Sequence, residues 1–339
     1  MSKDLLYKGT NFIQTLQIMQ GNAVVGIYQP QNIDLLKHSD LIDLKPGPDL
    51  QGMSLVASGR SITKRPDLQV LIGQDDFGIV KRIAPLRYYV AGPKENPGFI
   101  RRLRHTVFSI TEDYRQSVFG QATLHAASVV LPDNLAAILI LGDKGSGKTN
   151  VAYSLCRDFG AALVGNDLSI IGIGNSTAPY VHGGNAAFTF RKASLQKYFP
   201  DDDFCLPVNE AVRQGYEEKI TLSSQVLGIP AWREKCPIKL IARVSVHSDT
   251  SEPTATSSFN RLTESLRLHE NMARYVRGQT TPVCVSENGT ISGEFKSLDS
   301  KANQAFRNAL LEQIHQTKFI YVSTNSPQKA AQMLIHALG

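Results

Sequence analysis

The sequence lacks long hydrophobic runs. Its longest apolar stretch, residues 135–141, has the length of a strand, whereas a membrane-spanning helix needs about 20 apolar residues. The N-terminal residues carry an acidic side chain at once and show no apolar segment followed by a small-residue cleavage site, so no export signal is expected. The sequence therefore predicts a protein without a membrane span and a cytoplasmic location.

Cysteine is scarce. The chain of 339 residues has only four, Cys156, Cys205, Cys236 and Cys284, and they are far apart. There is no C-x-x-C pair, and no histidine lies at the spacing of a zinc ligand. We therefore expect neither a zinc site nor a disulfide framework, and interpret the cysteines as reduced thiols.

Positive charge is in only modest excess, since the net charge is +6. The clearest basic cluster, residues 101–105, lacks the interleaved aromatics and glycines of a surface that binds single-stranded RNA. It is interpreted as a solvated helix face. Nucleic acid is accordingly an unlikely partner.

Two domains are predicted. Residues 1–95 contain short apolar runs between proline and glycine clusters, which indicates a small β-rich or α/β domain. Residues 91–98 hold two prolines and two glycines and are the best linker, so the second domain is expected to span 96–339. Residues 248–258 are interpreted as a mobile polar loop.

The second domain shows an α/β pattern. The spacing of apolar residues predicts helices at 99–119, 149–159, 261–275, 301–316 and 327–337. It predicts strands at 126–131, 136–141, 162–165, 238–246 and 319–323. Gly160 is a plausible C-cap of the helix 149–159. Residues 180–185 contain Gly183 and Gly184 and are interpreted as an ordinary turn, with a loop over the phosphates as the alternative.

The motif that carries the chemistry is G-x-x-x-x-G-K-[ST], between an apolar strand and a helix. Its residues are Gly142, Asp143, Lys144, Gly145, Ser146, Gly147, Lys148 and Thr149. In this context the motif predicts a P-loop whose backbone N–H groups surround the phosphates of a nucleoside triphosphate. Lys148 would reach the β- and γ-phosphates, and the Thr149 hydroxyl would bind Mg²⁺.

An acidic residue follows closely. Asp167 lies nineteen residues after Lys148, at the end of the next predicted strand. Motor and transport ATPases usually place the metal-binding acid much further along the chain, so Asp167 indicates a small phosphotransferase. The alternative for Asp167 is a turn or helix-cap aspartate.

Residues 101–195 resemble the HPr kinase/phosphorylase family, whose fold is phosphoenolpyruvate-carboxykinase-like. The resemblance rests on Leu124-His125-Ala126, seventeen residues before Gly142, on the P-loop, and on Leu163-Val164-Gly165-Asn166-Asp167, which matches an acidic L-V-A-D-D motif. It implies a P-loop catalytic domain of this fold in which Asp167 binds the metal and His125 lies beside the phosphates. Arg191 matches the arginine of the family's E-x-R segment.

The sequence departs from the family at two positions. Asn166 replaces the first acid, a candidate base for the acceptor hydroxyl, and Thr189 replaces the glutamate of E-x-R. With these departures, Lys148, Asp167, His125 and Arg191 are the expected catalytic residues, and Thr149 and Asp167 are the expected metal ligands.

The expected function is that of an ATP- and Mg²⁺-dependent kinase acting on a hydroxyl of a small metabolite or of a peptide or protein serine. A homo-oligomer would suit the family. Two alternatives are open: a nucleotide-binding regulator with weakened catalysis, favoured by Asn166 and Thr189, and an enzyme like adenylylsulfate kinase, which the order of Asn166 and Asp167 and the extra domain disfavour.

Overall fold

The computed structural model describes residues 12–20, 23–30, 53–58, 66–74, 78–92, 97–131, 133, 135–174, 178–202, 219–247, 252–256, 260–277, 293–294 and 297–339. It is a mixed α/β protein. The chain divides into two compact units, one formed by the described residues of Met1–Ala122 and Arg267–Ala309, the other by those of Thr123–Leu266 and Leu310–Gly339.

The strands, in chain order, are β1 (Phe12–Gln20), β2 (Ala23–Pro30), β3 (Met53–Ser58), β4 (Leu68–Gln74), β5 (Gly78–Ala84), β6 (Arg87–Gly92), β7 (Gln121–Leu124), β8 (Ala127–Leu131), β9 (Ala136–Leu141), β10 (Ala162–Gly165), β11 (Ser169–Gly172), β12 (Tyr180–Gly184), β13 (Ala187–Arg191), β14 (Lys219–Ser223), β15 (Cys236–Val246), β16 (Thr254–Thr256), β17 (Gly293–Glu294) and β18 (Lys318–Thr324). The helices are α1 (Pro97–Tyr114), α2 (Lys148–Phe159), α3 (Lys192–Tyr198), α4 (Arg261–Ala273), α5 (Lys301–Gln316) and α6 (Pro327–Leu338). A π-helical turn, Arg115–Phe119, continues α1.

The first unit contains a mixed sheet with the strand order β17-β5-β6-β4-β2-β1-β3. Its interior residues include Val25, Ile27, Leu68, Val70 and Ile72, none of which has exposed surface. The runs around residues 24–28, 68–72 and 79–80 are strands.

The division between the units falls at residue 122 rather than at the predicted 95, and residues 267–309 also belong to the first unit. Polar contacts explain why α1 lies with this sheet. The Tyr88 hydroxyl of β6 donates to Asp113 of α1 at 2.5 Å, and Asn303 of α5 donates to the same carboxylate at 2.8 Å. Arg307 donates to Gln116 at 2.7 Å and has no exposed surface.

The sheet of the second unit follows the order β10-β8-β9-β15-β12-β11, and β18 and β16 join it through β15. Strands β9, β15 and β18 are parallel. The six residues of β9, AAILIL, are all buried, as expected for a parallel strand with both faces covered. Parallel strands end at one sheet edge, where α/β proteins bind their ligands.

Helix α2 packs on this sheet and on β13. The ring of Tyr153 meets Phe188, Phe190 and Phe199 edge-on, with centroid separations of 5.6, 5.2 and 4.9 Å. Gly160 ends α2 with a φ of 66° and donates its N–H to Leu155, so the predicted C-cap is confirmed.

Two predictions about irregular segments are wrong. Residues 180–184 form the strand β12, where a Cβ on Gly184 would lie 2.7 Å from the Cα of Gly165 and 2.2 Å from the Leu168 carbonyl oxygen. Gly184 is thus required by a close approach of two backbones, because any side chain would separate them. Within the predicted loop 248–258, residues 254–256 form β16, paired with β18.

None of the helices that the structure describes is both long and apolar enough to cross a bilayer.

Candidate functional site

Residues 142–147 form the loop between β9 and α2, where the motif places it. Gly147 directly precedes the helix with a φ of 89°, and a Cβ there would lie 2.9 Å from side-chain atoms of Val246. Only glycine meets both conditions. The loop thus sets the first N–H groups of a twelve-residue helix at the end of a buried strand, which is an arrangement that attracts phosphate.

We expect Gly147→Ala to lower the free energy of unfolding by about 2 to 4 kcal/mol, because an unfavourable positive φ adds to overpacking against Val246. Gly145→Ala is the matched control, since Gly145 has a φ of 85° but no atom within 4 Å of the position that an added methyl group would take. In Gly145→Ala the free energy of unfolding should fall by only about 1 to 2 kcal/mol, the cost of the positive φ alone. Urea unfolding without nucleotide measures both, and equal losses would contradict the role of the Val246 contact.

Lys148 is held inside the loop. Its side chain is buried, and Nζ donates to the carbonyl oxygens of Gly142 at 2.9 Å and of Asp143 at 3.0 Å. Burial lowers the pKa of Lys148, while the negative charges of Asp167 and Asp143 oppose that shift. An anionic ligand at the loop would further stabilise the charged ammonium, because opposite charges favour ionisation.

Asp167 lies near this lysine. It follows the end of β10 with a φ of 63° and is half-buried. Strand β10 runs antiparallel to β8, and β8 antiparallel to β9, so the carboxyl ends of β9 and β10 lie at one edge. The charge of Asp167 acts on Lys148. The structure therefore brings together the predicted acid and the predicted phosphate-binding lysine.

His125 lies at the same edge, between β7 and β8. Ala127 of β8 pairs with Ile140 of β9, which places His125 level with the beginning of the P-loop. It is half-buried. This position in the backbone is compatible with a histidine beside the bound phosphates, which is the role that the resemblance implies.

The two positions that depart from the family hold neutral side chains with structural partners. Asn166 has no exposed surface, its N–H donates to Asn185 at 2.9 Å, and its Nδ2 donates to the Ala187 carbonyl at 3.3 Å. Thr189 shares a hydrogen bond with Thr221 of β14 at 3.1 Å. Asn166 thus connects the end of β10 to Asn185 and to the first residue of β13, and it is inaccessible to a substrate.

Arg191 lies at the end of β13, directly before α3. Because side chains alternate along a strand and Phe188 and Phe190 contact α2, Arg191 and Thr189 lie on the opposite face of β13. Arg191 is half-buried and pairs in register with Lys219.

Sequence reasoning missed Arg243. It lies near the end of β15, in register with Leu141 of β9. Its Nε and Nη2 donate to one oxygen of Glu264 at 2.9 and 2.5 Å, and Nη1 is 3.8 Å from Asp143 of the P-loop. Its charge also acts on Lys148. The available signal was a charged residue at the carboxyl end of a predicted buried strand.

A cavity of about 460 Å³ opens beside the P-loop, at the ends of β15 and β18. Besides Arg243 and Tyr321, the polar side chains that line it are Asp143, Lys144, Ser146, Ser245, His247, Thr254, Thr256 and Ser323. All of them belong to the second unit.

Oxygen groups for a divalent metal are available at the Thr149 hydroxyl and the Asp167 carboxylate, both half-buried. Within the part of the chain that the structure describes, no three His, Cys, Asp or Glu side chains form a metal-binding group. Magnesium bound with nucleotides usually takes one or two protein ligands, and phosphate and water supply the others.

Comparison with known proteins gives a partial structural likeness. No family model matches the sequence, and no curated protein matches it. Part of the chain resembles the solved HPr(Ser) kinase/phosphatase from Coxiella burnetii, with 15% sequence identity and a TM-score of 0.25 over 40% of this chain and 70% of that one.

Proposed function

We propose that this protein is an ATP-dependent kinase that transfers the γ-phosphate to a hydroxyl of a small metabolite or of a peptide or protein serine. The observation that carries the proposal is the position of Lys148, which is held in the loop by two carbonyls and is acted on by both Asp167 and Arg243. Phosphoryl transfer is catalysed mainly by positioning and by charge neutralisation, and this arrangement serves both.

Each group has a role in the proposed reaction. The backbone N–H groups of residues 142–149 and the Lys148 ammonium would hold the β- and γ-phosphates. Thr149 and Asp167 would bind Mg²⁺, which would neutralise the phosphate oxygens when present. His125, level with the loop, would lie beside the phosphates, and Arg191 is the remaining catalytic residue taken from the resemblance.

The acceptor hydroxyl would be oriented by Asp167. Asn166 cannot remove a proton, because a carboxamide is not a base at neutral pH and this one is fully buried. A loose transition state requires little deprotonation of the acceptor before transfer. One carboxylate that binds the metal and orients the hydroxyl is then sufficient.

A second candidate function is a nucleotide-binding regulator with weakened catalysis. The observation that favours it is the burial of Asn166 and the pairing of Thr189 with Thr221, since both family acids are replaced by groups that serve the fold. Such a protein would keep the P-loop and bind ATP without turnover.

Transfer of label from [γ-³²P]ATP distinguishes the two functions. With Mg²⁺ and fractionated cell metabolites or a peptide library, we expect ADP and a labelled product whose phosphate resists acid, as a phosphate ester of a hydroxyl does. Lys329→Ala is a suitable control, because Lys329 is exposed on α6. Tight ATP binding without ADP from any acceptor pool would favour the regulator instead.

A further inference from the structure

The P-loop forms one side of the cavity beside it, and the side formed by β15, β16 and β18 has no role in the proposed reaction. Its volume of about 460 Å³ is typical of pockets for small organic ligands, which range from about 300 to 1,000 Å³. Thr254, Thr256 and Ser323 supply hydroxyl groups to its lining. It is therefore large enough for an organic group and polar enough to orient one.

One buried carboxylate fixes a wall of this cavity. Glu264 is 1% exposed and accepts two hydrogen bonds from Arg243. Burial and the negative charge of Glu264 raise the pKa of the Tyr321 hydroxyl. The ring of Tyr321 packs against Phe319, with centroids 5.2 Å apart, and also lines the cavity, where it can contact a ligand. An aromatic ring beside a guanidinium group favours a planar, aromatic ligand.

The cavity and Asp167 lie on opposite sides of the P-loop strand. Asp167 follows β10, which is separated from β9 by β8, and the cavity lies at the ends of β15 and β18 on the other side. Neighbouring strands are about 4.8 Å apart, so along the sheet edge Asp167 lies about 10 Å from β9, and the cavity lies about 5 to 10 Å from β9 on the other side. A molecule that fills the cavity and reaches Asp167 must cross the P-loop.

We propose that this cavity binds the nucleoside of the phosphate donor, with its base against Tyr321 and Arg243. The triphosphate then runs across residues 142–149 and presents its γ-phosphate at Asp167. The acceptor hydroxyl approaches from the side of Asp167 and His125, away from β16. This assignment rests on the proposed function, since it requires that the P-loop binds a nucleoside triphosphate.

Calorimetric titration with MgATP and with Mg²⁺-tripolyphosphate separates the nucleoside from the phosphates. Tyr321→Ala should weaken ATP binding by about tenfold or more, the usual effect of losing one aromatic ring beneath a base, and should leave tripolyphosphate binding unchanged. Tyr321→Phe keeps the ring and should retain ATP affinity.

Thr256→Trp gives a second test that does not remove a buried contact. Thr256 is exposed on β16, where an aromatic residue is compatible with a strand, and the larger side chain should obstruct the nucleoside and spare tripolyphosphate. Tyr198→Ala, at the end of α3 in the same unit, controls for the loss of an aromatic side chain.

If the unchanged protein binds both ligands and both cavity variants keep its ATP affinity, the nucleoside lies elsewhere and the assignment is overturned while the P-loop function stands. If the unchanged protein binds neither ligand, the proposed function fails, and this assignment fails with it.

Discussion

We expect Lys148→Ala to bind MgATP on the order of 10 to 100 times more weakly, because it loses charge-assisted hydrogen bonds to phosphate. Turnover should fall further, by about 10² to 10³-fold, since the ammonium also stabilises charge that develops in the transition state. The side chain is already fixed by Gly142 and Asp143 in the free protein. Little conformational entropy remains to be lost when the nucleotide binds.

Titration calorimetry measures the affinity of this variant, and a coupled assay for ADP measures its turnover. Lys148→Arg tests geometry, because the planar guanidinium does not reproduce a compact ammonium bonded to two carbonyl groups. It should recover little activity. Full turnover in Lys148→Ala, with Lys329→Ala as the reference, would remove Lys148 from the mechanism.

The second large effect is expected for Asp167→Asn, which keeps the shape of the side chain and tolerates the positive φ of 63°. Turnover should fall by about 10²-fold or more, because a metal-binding and acceptor-orienting charge is lost. ATP affinity should fall much less, since the P-loop and Lys148 are retained. The loss should be accompanied by a higher Mg²⁺ concentration for half-maximal turnover.

Asp158→Asn is the matched control, because Asp158 lies at the far end of α2 and pairs with Arg157. It should retain wild-type turnover and Mg²⁺ dependence. If Asp167→Asn behaves in the same way, the acid that follows β10 has no part in catalysis, and the kinase proposal loses its metal ligand.

The sequence was sufficient to predict the P-loop and the elements around it. Glycines at fixed positions between a buried strand and an amphipathic helix carry strong local signals, and β9, α2 and β10 lie where they were expected. The sequence also predicted that Asp167 lies near Lys148, because the short helix α2 connects β9 to β10 and the carboxyl ends of these two strands lie at the same edge of the sheet.

Other parts of the site could not be predicted because they depend on distant pairing. Arg243 is one charge in a long strand, and its place beside Asp143 depends on the register of β15 against β9. Strand β16 is three residues of threonine and alanine within a polar segment, and its pairing with β18 makes it a strand. Neither signal is local.

The buried polar contacts of the first unit also bear on how the chain folds as it leaves the ribosome. Asp113 and Gln116 find their partners at Asn303 and Arg307, which are synthesised after the whole P-loop segment. Most domains acquire their structure in the order of synthesis. Here α1 and the turn after it must wait for α5, and the nucleotide-binding sheet must wait for β18, which is synthesised later still. Neither unit can therefore complete its structure before residues 301–324 have left the ribosome.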